Sequence, residues 1–93
     1  MELHAATQAF RALGSEHRLA IYIQVASSFE GLPLNELSRR CPIPHEALLL
    51  GLSELVGAGL IERSGAGILT WYRANPRRLR EALDYAFNPG ALA

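Results

Sequence analysis

The feature that most constrains the fold is a strongly periodic segment at residues 43–61, which follows Pro42, contains Pro44 near its start and ends in a glycine-rich break. Its apolar residues recur at the spacing of a helix with one buried stripe. The stripe consists of Leu48, Leu52, Leu55, Val56 and Gly59. The opposite arc consists of Glu46, Leu50, Ser53, Glu54 and Gly57, with Leu49 on its flank. The segment therefore predicts a helix that packs by its stripe and presents this arc to solvent.

A shorter helical pattern precedes this segment. Pro33 suits the first position of a helix, and the apolar spacing that follows carries the pattern to about Arg40. Pro42 and Pro44 bias the residues before them away from the α conformation, so a tight turn is expected between the two helices. A short helix, a turn and a longer helix form the layout of a helix-turn-helix, which the sequence predicts over residues 33–57.

An extended pattern follows the long helix. Residues 60–64 and 68–73 predict two antiparallel strands, and the Gly-Ala-Gly sequence between them predicts the turn. A hairpin placed directly after a helix-turn-helix is a wing, expected here over residues 60–74.

Helices are also predicted towards both ends of the chain. The first covers residues 2–13, a second follows the good N-cap Ser15 over residues 16–27, and a last helix opens at Pro76 and reaches about Phe87. Their expected inward residues are Leu3, Ala6, Phe10 and Leu13, then Leu19, Tyr22, Ile23 and Ala26, then Leu79, Ala82, Leu83 and Ala86. The expected stop signals of the last helix are Asn88, Pro89 and Gly90. The sequence thus predicts one winged helix-turn-helix domain over residues 1–93, mainly α with a small β-hairpin and about five helices.

Composition and charge narrow the classes of function. The chain is 49% hydrophobic and 19% charged, as expected of an ordinary soluble globular protein. No apolar run reaches the roughly 18 residues of a membrane span, and the first residues lack the layout of a signal peptide, so a cytoplasmic location is expected. The net formal charge is zero, and all nine basic residues are arginines, which can bind phosphate or guanine through a bidentate fork. A local basic patch remains compatible with this balance.

Catalysis is not expected. No serine or cysteine nucleophile has a base partner in a motif, and no glycine-rich phosphate loop follows a strand, so neither an enzyme nor a cofactor is predicted. The single cysteine, Cys41, follows Arg39 and Arg40. Two hypotheses stand for it: a redox-sensitive thiol whose pKa the arginines lower, or a small apolar residue packed in a turn.

Four segments in order resemble the ArsR/SmtB-type winged-helix transcriptional regulators, and together they cover nearly the whole chain. They are residues 10–21, with the family's F-K/R-A-L…R-L-x-I pattern, Leu34 with Glu36 and Leu37, the L-x-x-L-x-x-A-G-L-I pattern of residues 52–61, and Tyr72, Arg73, Asn75, Pro76 and Leu83. The resemblance implies a homodimer in which the first and last helices, residues 1–13 and 76–88, pair across a twofold axis. It also implies double-stranded DNA with a palindromic operator as the partner, and the function of a repressor.

The expected dimer interface is apolar. Its candidate residues are Leu3, Phe10, Leu79, Leu83 and Phe87. The alternative is that these side chains pack only within their own subunit.

The sequence departs from the metal-sensing members of this family. Those members use a cysteine pair near the third helix or Asp, His and Glu ligands along the last helix. Here there is one cysteine, and His4, His17 and His45 lie in different predicted elements. Because a tight site needs three or four converging ligands, the sequence predicts a regulator that does not sense metal.

The outward arc of the long helix departs from the family as well. The family usually places Ser, Thr, Gln, Arg or His there, whereas this chain offers Glu46, Leu49, Leu50, Gly51 and Glu54, with His45 and Ser53 as donors. A glutamate can accept from cytosine N4 and a leucine can touch a thymine methyl, while phosphate contacts would come from arginines. The predicted DNA-binding residues are Arg39, Arg40, His45, Glu46, Leu49, Leu50, Ser53 and Arg63, with Arg18 as a further source of charge.

Two alternatives to DNA recognition remain open at this stage. Exposed Leu49 and Leu50 on a protruding helix also fit a protein-docking patch, which would make the domain an interaction module with weakened or lost DNA binding. A slightly rotated helix would instead bury both leucines.

Overall fold

The computed structural model describes residues 1–88 of the 93-residue chain, so the expected stop signals at Pro89 and Gly90 lie outside the described part. It contains five α-helices and three short strands. In chain order these are α1 (Leu3–Leu13), α2 (Glu16–Ala26), β1 (Leu32–Pro33), α3 (Leu34–Arg40), α4 (His45–Gly57), β2 (Ile61–Ser64), β3 (Trp71–Ala74) and α5 (Pro76–Phe87). The predicted fold class, a winged helix-turn-helix with five helices and a small sheet, is confirmed.

The core is built around α4. Leu48, Leu52 and Leu55 are buried on one side of this helix, as its periodicity predicts. Gly51 was expected on the outward arc, but it is buried where α4 crosses α2. A Cβ atom at Gly51 would lie 2.8 Å from Cδ1 of the buried Ile21. The absence of a side chain therefore lets the two helices approach closely.

The two N-terminal helices match the predicted faces only in part, with Ala6 of α1 and Tyr22 of α2 buried as expected. In α1 the buried residues are the alanines Ala6, Ala9 and Ala12, whereas Leu3 and Phe10 are exposed. Small side chains allow α1 to lie close to its neighbours α2 and α5, and the larger ones remain outside.

In α2 the buried residues are Ile21, Tyr22 and Val25. Tyr22 was predicted correctly, but the expected inward residues Leu19, Ile23 and Ala26 face solvent. This helix is apolar at most positions between residues 19 and 26, so its sequence does not define a single face.

The sheet has three strands in the order β1-β3-β2, all antiparallel. Strand β1 was not predicted because it is two residues long, and Pro33, expected in the first turn of α3, lies in β1 as the N-cap. Ile68 and Leu69 were expected in the second strand of the hairpin but lie in a 3-10 turn, Gly67–Leu69. Gly65 and Gly67, with φ of 80° and 58°, adopt the left-handed conformation that turns the chain there.

Helix α5 has the predicted bounds and packs against α1. Ala82 is buried and Leu79 half-buried, as expected of inward residues, but Leu83 and Ala86 are exposed. Asn75 precedes Pro76, and its amide Nδ2 donates to the carbonyl of Gly59 at 3.1 Å. Asn75 thus ties the start of α5 to the end of the helix-turn-helix.

Candidate nucleic-acid interface

The exposed side of α4 forms a continuous surface, called here the reading face. It consists of His45, Glu46, Leu49, Leu50 and Ser53, all of which are solvent-exposed. Leu50 is 63% exposed and Leu49 39%, so the alternative of a rotated helix that buries both leucines is wrong.

The reading face meets the wing at a shallow groove. Leu49, Ser53 and Val56 of α4 line one side, and Arg63 of β2 and Tyr72 of β3 line the other. The structure thus brings three of the predicted DNA-binding residues together from two elements. Val56 and Tyr72 were not predicted to take part, because Val56 was expected in the buried stripe of α4 and Tyr72 only in the second strand of the hairpin.

Arg18 occupies a structural position rather than a free one. Its Nη1 lies 2.8 Å from Oε2 of Glu54 on α4. Its Nε and Nη2 donate to the carbonyl oxygens of Ala12 and Arg11 at 2.7 and 3.1 Å, at the C-terminal end of α1. The sequence places two carboxylates, Glu46 and Glu54, on the outward arc, and the Arg18 guanidinium neutralises that of Glu54. Glu46 has no ion-pair partner among residues 1–88. Arg18 therefore connects α1 to α4, and its guanidinium is not free to bind DNA phosphate.

Arg39 and Arg40 share one carboxylate at the end of α3. Both donate to the Glu36 carboxylate, with Arg40 Nε 3.0 Å from Oε1. These hydrogen bonds lower the pKa of the Glu36 carboxyl, and the one from Arg40 has the larger effect. Two guanidiniums and one carboxylate leave one net positive charge. The Arg39 side chain is exposed, so it can exchange Glu36 for another anion. Arg63 has no ion-pair partner among residues 1–88.

Cys41 is buried at the turn after α3. Burial raises the pKa of its thiol, which does not fit the hypothesis of a redox-sensitive thiol whose pKa the arginines lower. The guanidiniums of Arg39 and Arg40 pair with Glu36 instead. The environment of Cys41 fits the hypothesis of a small apolar residue packed in a turn.

The Cys41 thiol should react slowly in the folded protein. We expect its reaction with dithionitrobenzoate near neutral pH to be at least about tenfold slower than in denaturant, because thiolate is scarce and access is blocked. The raised pKa also means that the folded state loses stability as the pH rises above the ordinary thiol pKa, since the unfolded chain ionises first. Equal rates with and without denaturant would contradict this prediction.

The proposed interface residues lie on α1 and α5, which pack together. Leu3 and Phe10, seven residues apart, lie on one side of α1, and Leu83 and Phe87, four apart, on one side of α5. All four are exposed. Leu79 instead packs partly against the core of its own subunit. The two helices therefore carry unburied apolar surface.

Two further structural findings concern residues 1–88. No three His, Cys, Asp or Glu side chains in this part of the chain converge into a set that could hold a metal ion. None of the helices described is long and apolar enough to span a bilayer.

Several solved structures share this fold. An ArsR-like transcriptional regulator from Rhodococcus sp. RHA1 has a TM-score of 0.84 and 25% identity, over 95% of this chain and 81% of that one. A homodimeric winged helix-turn-helix DNA-binding domain from Mycobacterium bovis, a possible ArsR-family regulator, has a TM-score of 0.73 and 19% identity, over 91% and 78%. Reduced HlyU from Vibrio cholerae N16961 has a TM-score of 0.70 and 22% identity, over 90% and 88%.

No family model matches the chain, and no curated protein sequence does. The structural likeness nevertheless extends over nearly the whole chain. The protein has the winged helix-turn-helix fold of ArsR-type transcriptional regulators, and the resemblance predicted from the sequence is confirmed.

Proposed function

We propose that the protein is a DNA-binding transcriptional regulator, a homodimeric repressor of the ArsR type that does not sense metal. The observation that carries the proposal is the groove in which the reading face of α4 meets Arg63 of the wing. The names of the similar proteins support it, because one is an ArsR-like transcriptional regulator and another a homodimeric DNA-binding domain.

In this proposal α4 contacts the bases and the arginines contact the phosphates. The N-terminal part of α4 would enter the major groove, where residues at the start of a recognition helix contact base edges. Arg63, Arg39 and Arg40 would bind phosphates, and the wing would follow the neighbouring backbone. Two subunits would place two such helices about 34–36 Å apart along a palindromic operator.

The proposal assigns no catalytic role and no metal effector. The three histidines lie apart, in α1, α2 and α4, and Cys41 is buried, which supports a regulator that does not use them as metal ligands. We place the protein in the cytoplasm, where a regulator meets its DNA.

The test is to titrate the purified protein against its own upstream DNA and against a scrambled duplex at several salt concentrations, with the molecular mass measured in parallel. We expect a dimer that prefers the upstream DNA, with log affinity falling linearly against log salt as counterions are released. A dimer without measurable DNA affinity at low salt would contradict the proposal.

A second candidate function is a protein interaction module that has weakened or lost DNA binding. The exposure of Leu49 and Leu50 favours it, since apolar side chains on a protruding helix also suit a protein groove. The same titration separates the two candidates, because this one requires DNA affinity to be absent or without preference for the upstream DNA.

Replacing Arg63 by alanine should weaken binding to every DNA sequence. The expected effect is a salt slope reduced by about one unit, because one phosphate contact is lost. Arg77→Ala is a matched control, since Arg77 is also exposed but lies on α5, where it pairs with Glu81. An unchanged slope for Arg63→Ala would remove Arg63 from the phosphate contacts.

A further inference from the structure

The chemistry of the reading face is unusual for a helix that contacts bases. Helix α4, His45–Gly57, contains no arginine, lysine, asparagine or glutamine. Arginine and lysine are the usual partners of guanine in the major groove, and asparagine and glutamine are those of adenine. The usual means of recognising purines are therefore missing from this helix.

Leucines occupy the central part of the same face. Leu48 and Leu52 are buried in the core, whereas the side chains of Leu49 and Leu50 are exposed and do not contribute to it. The single apolar group that a base pair presents in the major groove is the 5-methyl of thymine. A leucine that covers this methyl removes apolar surface on both sides from water.

The surroundings of the leucines favour DNA over a protein surface. Leu49 shares its groove with the hydroxyl of Ser53 and the guanidinium of Arg63, which are groups that bind phosphate. Two leucines flanked by Glu46 make a small apolar area, whereas a stable protein interface covers about 800 Å² on each partner.

Resting on the proposed function, we propose that Leu49 and Leu50 are specificity-determining residues that recognise thymine methyl groups, with Leu50 as the principal contact. The operator half-site then contains thymine at the positions opposite this face. Discrimination comes from burying methyl groups rather than from bidentate hydrogen bonds to purines.

The test starts from a duplex that the full chain selects from a randomised library. The selected duplex is synthesised again with deoxyuridine in place of thymidine, which keeps the Watson–Crick pairs and removes the methyl groups. We expect the affinity to fall about fourfold for each contacted methyl group, and about sixteenfold when one methyl is contacted in each of two half-sites.

Protein variants separate a methyl contact from a general effect on DNA shape. Leu50→Ala should bind the thymidine duplex more weakly and lose most of its discrimination between thymidine and deoxyuridine. Leu19→Ala removes an exposed leucine from α2 and should keep the full discrimination. Circular dichroism and thermal unfolding of each variant confirm that it is folded.

The outcomes separate this inference from the function on which it rests. Equal affinity for both duplexes, or unchanged discrimination in Leu50→Ala, overturns methyl recognition while DNA binding stands. Selection of no duplex even at low salt overturns both and points to the protein-interaction candidate.

Discussion

Phe10→Glu should convert the proposed dimer to a monomer and lower operator affinity by about a hundredfold or more. Phe10 is the large aromatic residue on the exposed side of α1, and α1 packs against α5. A carboxylate at this position would have to be buried without a partner if two subunits met there. A monomer also binds only one half-site at a time, so it loses the affinity that a dimer gains by binding both half-sites at once.

Analytical ultracentrifugation and fluorescence anisotropy on an operator duplex measure the two effects. Phe29→Glu is the matched control, because Phe29 is 96% exposed in the loop after α2, outside the proposed interface, and its replacement should leave mass and affinity unchanged. A Phe10→Glu protein that stays dimeric would exclude the centre of α1 from the interface.

Leu55→Ala should reduce the free energy of unfolding by about 2–5 kcal/mol. Leu55 is fully buried in α4, and truncation leaves a cavity that the packed neighbours fill only in part. A loss of this size is a large fraction of the roughly 5–15 kcal/mol that stabilises a typical domain. It should also lower the melting temperature by several degrees or more.

Chemical denaturation at a fixed protein concentration is the appropriate measurement, because the stability of a dimer depends on concentration. Leu50→Ala makes the same chemical change on the exposed side of the same helix, and we expect it to alter stability by no more than about 0.5 kcal/mol. Similar losses for the two variants would mean that Leu50 is packed in solution.

The sequence predicts α4 best. Its stripe of Leu48, Leu52 and Leu55 defines the buried side, and the prolines before it define the turn. The buried face of α2 was predicted only in part because apolar residues occur on all sides of this helix. Ile68 and Leu69 are apolar and lie just before β3, so the sequence assigns them to the strand. The structure places them in a 3-10 turn that begins at the left-handed Gly67.

The candidate site was predictable in its location but only partly in its ion pairs. Exposure of Leu49, Leu50 and Ser53 follows from periodicity. The pairing of Arg18 with Glu54 joins residues far apart in sequence, which periodicity does not reveal. The pairing of Arg39 and Arg40 with Glu36 does follow the i,i+3 and i,i+4 spacing of a helix. The burial that raises the pKa of Cys41 depends on how α3 packs, which the order of residues does not show.

The position of Arg18 has a mechanical consequence. The Arg18 guanidinium joins the carbonyl end of α1 to a carboxylate of α4, so it couples the positions of the two helices. In a dimer built on α1, a tilt of one subunit against the other would therefore also move α4. The spacing of the two reading faces would then be set at the subunit contact rather than at the DNA.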